Sequence, residues 1–178
     1  METFKLFLDL DGVLVTRKCT KSWVQVALPY GEYRYENISF DEDCVYNFLE
    51  FLRQLHKLTP YEIILSSDWR WANPEEHTRI LFDKYQIPQY VSTTPVQSKY
   101  QTNGIRSLEI LAWLKDNNIT HNKYLVIDDT SSIVKPHIEN ANFVFVNGGW
   151  HSSGFNPWHK KHALEKASKL LGLSLAPL

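Results

Sequence analysis

The sequence predicts an α/β fold: a Rossmann-like, mainly parallel sheet with helices on both faces. Three observations carry that expectation. Short apolar runs of strand length alternate with segments of helical period, an order that favours parallel strands joined by helical crossovers. The first run, Leu6 to Leu8, is continuously apolar, as a strand buried on both faces must be. Acidic or hydroxyl residues stand directly after several runs, at the carboxyl edge where such sheets hold their ligands.

The first strand, around Phe4 to Leu8, runs into Asp9-Leu10-Asp11-Gly12. Side chains two apart on extended backbone point the same way, so Asp9 and Asp11 converge on one small volume, and Gly12 lets the chain turn away. Carboxylates placed together repel and raise one another's pKa, so the pair calls for a cation, a shared proton or a reacting group. Residues 15–39 are irregular. Within them, Trp23 to Leu28 and Tyr33 to Tyr35 read as strands around a Pro29-Tyr30-Gly31 turn, a hairpin flap beside the aspartates. Its tyrosines are an edge packing or a stacking surface for a base.

Ser39-Phe40-Asp41-Glu42 fits a capping box opening a helix to about Lys57, with Val45, Phe48, Leu49, Leu52 and Leu55 at helical spacing. Tyr61 to Leu65 is a strand that delivers Ser66-Ser67-Asp68-Trp69-Arg70. Asn73, Pro74 and Glu76 mark the start of a further helix to about Tyr85. A short strand is expected around Tyr90 to Ser92, then a polar, mobile loop from Ser92 to Gly104 that holds Lys99. In the next helix Ile105, Leu108, Leu111 and Leu114 supply the apolar face, widened by Ile110 and Trp113, with Arg106 near its start. Tyr124 to Ile127 is a strand ending in Asp128 and Asp129, with Thr130-Ser131-Ser132 as a turn or cap. Phe143 to Val146 is a last strand, and Pro157 to Leu171 a C-terminal helix.

Composition narrows the function classes. A chain of 178 residues supports one domain, 1–178, whose core buries roughly 70% of the unfolded surface. With 43% hydrophobic and 22% charged residues it is an ordinary globular composition, and a formal charge of −1 provides no global attraction to nucleic acid or an anionic membrane. Cys19 and Cys44 lack metal-like spacing and make no disulfide scaffold, so a cytoplasmic, reducing setting is expected. No stretch has the pattern of a signal peptide or the length of a membrane span.

In a parallel sheet Asp9, Asp11, Ser66, Asp128 and Asp129 gather at one edge. Hard oxygen donors suit Mg²⁺, which commonly bridges to substrate phosphate. One aspartate can then attack phosphorus and the second protonate the leaving oxygen and activate water, while a serine hydroxyl and Arg106 or Lys99 hold the phosphoryl oxygens.

The order Asp9-Leu-Asp11-Gly-Val-Leu, Ile-Ile-Leu-Ser66, a basic residue near a helix start, and Leu-Val-Ile-Asp128-Asp129 resembles the haloacid dehalogenase (HAD) superfamily of phosphohydrolases. The Ser-Ser-Asp-Trp69-Arg70 and Arg106-Ser-Leu-Glu109 segments resemble, more narrowly, the small HAD domains associated with RNA-repair proteins. The resemblance implies Asp9 as nucleophile and metal ligand, Asp11 as general acid/base with its backbone carbonyl on Mg²⁺, Ser66 on the phosphoryl group, and Asp128 and Asp129 completing the metal site. The family's third motif usually has lysine. Here the candidates are Arg106 and Lys99. A large cap domain does not fit in the chain, which leaves the site open to a bulky phosphorylated substrate such as a nucleotide or nucleic-acid end.

Competing classes follow from the same residues. A protein or small-metabolite phosphatase, or a HAD-like module that binds without turnover, uses the same acids. A phosphorylated receiver domain has its acidic pair first and its phosphorylated aspartate later and alone, and no P-loop is present for a kinase. Trp69 and Arg70 either contact substrate or are a packed tryptophan beside a surface arginine. His151, Trp158, His159, Lys160, Lys161 and His162 form either a solvated helix start or a contact for a nucleic-acid backbone.

Overall fold

Five parallel strands form the sheet, in the order β5-β4-β1-β6-β7. They are β1 (Phe4–Leu8), β4 (Tyr61–Leu65), β5 (Ser92–Thr93), β6 (Tyr124–Asp128) and β7 (Phe143–Phe145). The computed structural model describes residues 3–22, 24–27, 33–72, 75–96, 105–119, 122–147 and 153–173. β1 is central, paired Leu6 to Ile63 of β4 on one side and Leu6 to Leu125 of β6 on the other. The chain builds outward from β1 to β4 and β5, then returns across β1 to β6. This reversal puts the end of β1 at the crevice where open α/β sheets bind ligands.

The period of two along each strand divides the core. Leu6, Leu8, Ile63, Leu65, Leu125, Ile127 and Val144 pack on one face with α2 (Glu42–Leu58), α4 (Glu75–Lys84) and α7 (Pro157–Leu170). Phe7, Ile64, Tyr124, Val126 and Phe143 pack on the other with α5 (Ile105–Asp116) and α6 (Ser131–Val134). Phe7 meets Trp113 of α5 and Tyr124 edge-on, at centroid distances of 5.4 and 6.0 Å. Helices therefore cover both faces.

The expected hairpin is present: β2 (Val24–Ala27) pairs antiparallel with β3 (Tyr33–Glu36), in register Val24 to Glu36. Its turn, Pro29 to Gly31, and Trp23 lie outside the described residues. So do Asn73 and Pro74, proposed from sequence to open α4. Two short helices join the expected elements, α1 (Arg17–Thr20) after β1 and α3 (Trp69–Ala72) after β4.

Three sequence expectations are corrected. α2 is capped not by Ser39 but by Asp41, whose carboxylate accepts from Asp43 N–H at 3.1 Å and from the Thr16 hydroxyl at 2.6 Å. That second bond ties the cap to the chain after β1, which Ser39 does not do. The strand expected at Tyr90 to Ser92 is Ser92–Thr93, because Tyr90 is a buried ring against Phe82 and the ladder to β4 begins at Ile64–Ser92. Thr130, expected in a turn or cap, is the N-cap residue of α6, though its hydroxyl donates to Asp129 and makes no bond to the helix backbone. The buried face of α5 is Arg106, Glu109, Ile110, Trp113 and Leu114, while Leu111 is 38% exposed. Ile110, Trp113 and Leu114 are buried as expected, and it is Leu111 that leaves that face, while Arg106, Ser107 and Glu109 are drawn inward.

Candidate active site

β1 ends at Leu8, and Asp9 still donates its N–H to Ile127 O of β6, so the first aspartate is held on the sheet edge by a ladder bond. The chain then closes tightly: the N–H groups of Val13, Leu14 and Val15 all reach Leu10 O, and Gly12 N–H reaches Val15 O. Gly12 has φ +69°, and a Cβ added there would lie 1.9 Å from Asp129 Oδ2. Both facts require glycine, and the second shows that the loop after β1 packs directly on the carboxylate after β6.

Carboxylate oxygens of Asp9, Asp128 and Asp129 lie within 4.8 Å of one another. Asp9 and Asp128 are buried, and Asp129 is half-buried. Thr130 organises this pair, its N–H donating to Asp128 Oδ1 at 2.7 Å and its hydroxyl to Asp129 Oδ1 at 2.8 Å. Asp128 Oδ2 is buried without a hydrogen-bond partner. A buried, unsatisfied carboxylate oxygen facing two more acids is a donor set of hard oxygens that fits Mg²⁺. Asp11 stands apart from this trio: its Oδ2 accepts from Trp69 Nε1–H at 3.0 Å.

Arg106 enters from the first turn of α5 and is almost wholly buried. Its Nη2 lies 3.0 Å from Asp68 Oδ1 and 4.0 Å from Asp9 Oδ1, its Nε lies 3.6 Å from Asp128 Oδ2, and its Nη1 donates to Ser66 O. Burial disfavours the guanidinium, yet Asp9, Asp128 and Asp68 outweigh it and keep the group charged. Ser66 follows β4, donates its N–H to Leu8 O at 2.8 Å, and its hydroxyl accepts from the Thr94 hydroxyl at 3.4 Å.

A layer behind these groups is built on Arg70. This arginine is not at the surface: its side chain is buried, donates to Ser67 O, Thr94 O and the Thr94 hydroxyl, and pairs with the equally buried Glu109 at 2.8 Å. Glu109 lies one turn beyond Arg106 on α5, so the bonds of Arg70 join α3, the end of β5 and the helix bearing Arg106.

The acids titrate upward. Burial, then the Asp128 charge, raises Asp9 well above the ordinary carboxylate range, with Arg106 pulling the other way. Burial raises Asp128 to about 7 against Arg106 and the Thr130 N–H, and burial raises Asp129 as well. Asp11 is lifted to about 6 by burial, opposed by the Trp69 hydrogen bond and reinforced by Asp129.

Asp9, Ser66, Arg106, Asp128 and Asp129, singled out from sequence, are thus brought to one edge, with Asp11 beside them. Lys99 lies outside the described residues. Asp68, Thr94 and Glu109 were not singled out as site residues. Thr94, a small hydroxyl residue just before Pro95, gave the only local signal, since the other two depend on which strands are neighbours. No helix among the described residues is long and apolar enough to cross a membrane.

A search of curated protein sequences finds no match. Among solved structures, one similar to this chain is that of a candidate 3-deoxy-D-manno-octulosonate 8-phosphate phosphatase from Vibrio cholerae. It has 12% identity and a TM-score of 0.45, covering 98% of this chain and 88% of that one. A family model described as the HAD domain in Swiss Army Knife RNA repair proteins matches residues 5–156, from within β1 to the cap of α7. The match takes in every acid of the sheet edge together with Ser66, Arg70, Arg106 and Glu109, and the chain belongs to that family of HAD domains.

Proposed function

We propose that the protein is a Mg²⁺-dependent phosphoric monoester hydrolase, working through an aspartyl-phosphate on Asp9 and acting on a nucleotide or polynucleotide phosphate end. The observation that carries the reading is the trio Asp9, Asp128 and Asp129, within 4.8 Å of one another, beside the buried Arg106 guanidinium. Asp9, Asp128 and Asp129 would hold the ion through their carboxylates, and Asp11 through its backbone carbonyl. Bound there, Mg²⁺ supplies relief of the acids' repulsion and polarisation of a phosphoryl oxygen.

Asp9 attacks phosphorus as the bond to the leaving oxygen breaks, and Asp11, whose pKa burial lifts to about 6 and so brings within reach of neutral pH, gives that oxygen its proton from its protonated form. Water then attacks the aspartyl-phosphate, Asp11 takes its proton, and inorganic phosphate leaves with Asp9 restored. The Trp69 indole fixes the Asp11 carboxylate for both transfers. The Ser66 hydroxyl and Arg106 hold the phosphoryl oxygens during transfer, and Lys99 is the second candidate for neutralising them. The domain acts as one unit over 1–178, with the β2–β3 hairpin as a small flap in place of a large cap. Free Cys19 and Cys44 suit a reducing cytoplasm.

Phosphate release from an aryl phosphate and from a 3′-phosphorylated oligonucleotide, with and without Mg²⁺ and with Asp9→Asn, tests the reading. Release that requires both the ion and Asp9, with preference for the oligonucleotide, is expected. Metal binding without turnover across a broad phosphate panel would instead make this a binding module.

A further inference from the structure

Away from the acids, a groove of about 550 Å³ runs along the outer edge of β7, between that strand and α7. Its walls are Phe143 and Phe145 of β7, Lys135 after α6, and Trp158, His162 and Lys166 of α7. The three α7 residues are spaced by four, so they form one stripe about 6 Å apart along the helix. Trp158 is 62% exposed, whereas Trp69 and Trp113 are buried. Its indole is braced by His162, stacked at 5.2 Å between centroids, and by the edge of His159 at 5.0 Å. An exposed indole held rigid from behind is a stacking platform.

The charge of the groove is one-sided. Lys135 and Lys166 line it, and no carboxylate is among its described lining residues. An adjoining hollow of about 380 Å³ shares His162 and Lys166 and adds Lys169, along with Glu165, which lies 3.8 Å from His162. Against a formal net charge of −1, this is a local concentration of cations beside aromatic rings.

The groove also has a register with the acid centre. Phe145, in its wall, is the ladder partner of Asp128, and Val146 donates its N–H to Asp128 O at 3.0 Å. Asn147, the next residue, also lines the groove. The groove therefore leads to the sheet edge one strand, or about 5 Å, from the β6 acids.

We infer that this groove binds a polynucleotide single strand, stacking a base on Trp158 and holding backbone phosphates with Lys135 and Lys166, so that the strand's end reaches Asp9. The inference deepens the proposed function and rests on it only for the reaction at that end. An extended peptide paired on the open edge of β7 is the other geometry that fits the place, and the lysines favour the polyanion.

The test is fluorescence anisotropy of a short dye-labelled single-stranded oligonucleotide lacking a terminal phosphate, over a range of salt, with the full chain. Wild type is expected to bind with salt-sensitive affinity, and Trp158→Ala to weaken binding about tenfold. Lys135→Ala and Lys166→Ala should each reduce the slope of log affinity against log salt by about 0.7. With a phosphorylated oligonucleotide, Trp158→Ala raises KM and leaves kcat, and aryl phosphate hydrolysis is unchanged in all three variants. No binding by wild type, or binding that Trp158→Ala leaves intact, overturns the inference. So does a loss in the lysine variants with no change of salt slope, as a peptide site would give. Groove-dependent binding without Asp9-dependent phosphate release upholds the inference and overturns the phosphatase reading.

Discussion

α2 and α5 cover opposite faces of the same sheet, and they do it with different chemistry. The buried stripe of α2 is Cys44, Val45, Phe48, Phe51, Leu52 and Leu55, with Asn47 turned back to Asp43 O at 2.8 Å. The buried stripe of α5 begins with Arg106 and Glu109 before it becomes apolar at Ile110, Trp113 and Leu114. Area removed from water explains α2. It does not explain α5, whose first two turns bury two charges, a costly arrangement unless each is paired. Both are: Arg106 among Asp9, Asp68 and Asp128, and Glu109 with Arg70. A helix that only stabilises the fold and one that also furnishes a site are distinguishable by what they bury.

The largest effect that sharpens this contrast is on the α2 side. Phe48 is fully buried and meets Phe155 edge-on at 5.7 Å. Phe48→Ala should cost about 3–5 kcal/mol, measured by denaturant unfolding, while turnover per folded molecule stays near wild type. Arg106→Ala should invert that pattern. Turnover falls roughly 10²–10³-fold, as when a preorganised charge stabiliser is removed, in phosphate-release kinetics on folded protein. Equal turnover in the two variants would erase the distinction between the helices.

Next in size is the pair behind Arg106. Glu109→Gln keeps the shape and leaves the buried Arg70 charge without its counterion, at a cost of about 1–3 kcal/mol, since the arginine keeps its bonds to Ser67 and Thr94. If Glu109 and Arg70 position Arg106 and Thr94, kcat falls as well, and Glu109→Asp restores part of it. Loss of stability with kcat untouched would make the pair structural only.

The acids facing α5 give a dependence on pH that the α2 side does not share. In the metal-free fold Asp11 titrates at about 6 and Asp128 at about 7, above the ordinary value of 3.8. Between those limits the folded chain holds more protons than the unfolded chain, so stability falls as pH rises through that window. Melting temperatures of metal-free protein should decline across that window. Mg²⁺ should restore them most at its upper end, and Asp128→Asn should flatten the slope.

These helices also mark what was legible in the sequence. The apolar runs of β1, β4 and β6 and the acids after them are local signals, and parallel pairing turns local signals into a shared edge. α2 was legible because its buried residues are apolar at helical spacing, although its cap was misplaced by two residues for want of the Thr16 contact. α5 was misread because a pattern reading assigns charges to solvent. Arg106 is expected from sequence as a site residue, but the burial of Glu109 beside it is not, and Leu111 is expected on the core face that the structure turns to solvent. Asp68 and Arg70 owe their roles to β4, β5 and α5 being neighbours, which no local pattern states, and Thr94 shows locally only as a hydroxyl before Pro95.

Leu111 tests that misreading with the smallest effect. On an apolar face of Ile105, Leu108, Leu111 and Leu114 it would be central, and Leu111→Ala would cost about 2–5 kcal/mol with the cavity left behind. In the structure it is 38% exposed, on the side of α5 turned from Phe7 and Ile64. Little area is lost there, and alanine is the better helix former, so the two terms nearly cancel. Leu111→Ala should therefore stay within about 0.5 kcal/mol of wild type in denaturant unfolding. Ile110→Ala, one residue away and fully buried, should cost about 2–5 kcal/mol. A reversal of that order would return α5 to the face its leucines suggested and take Arg106 away from the acids with it.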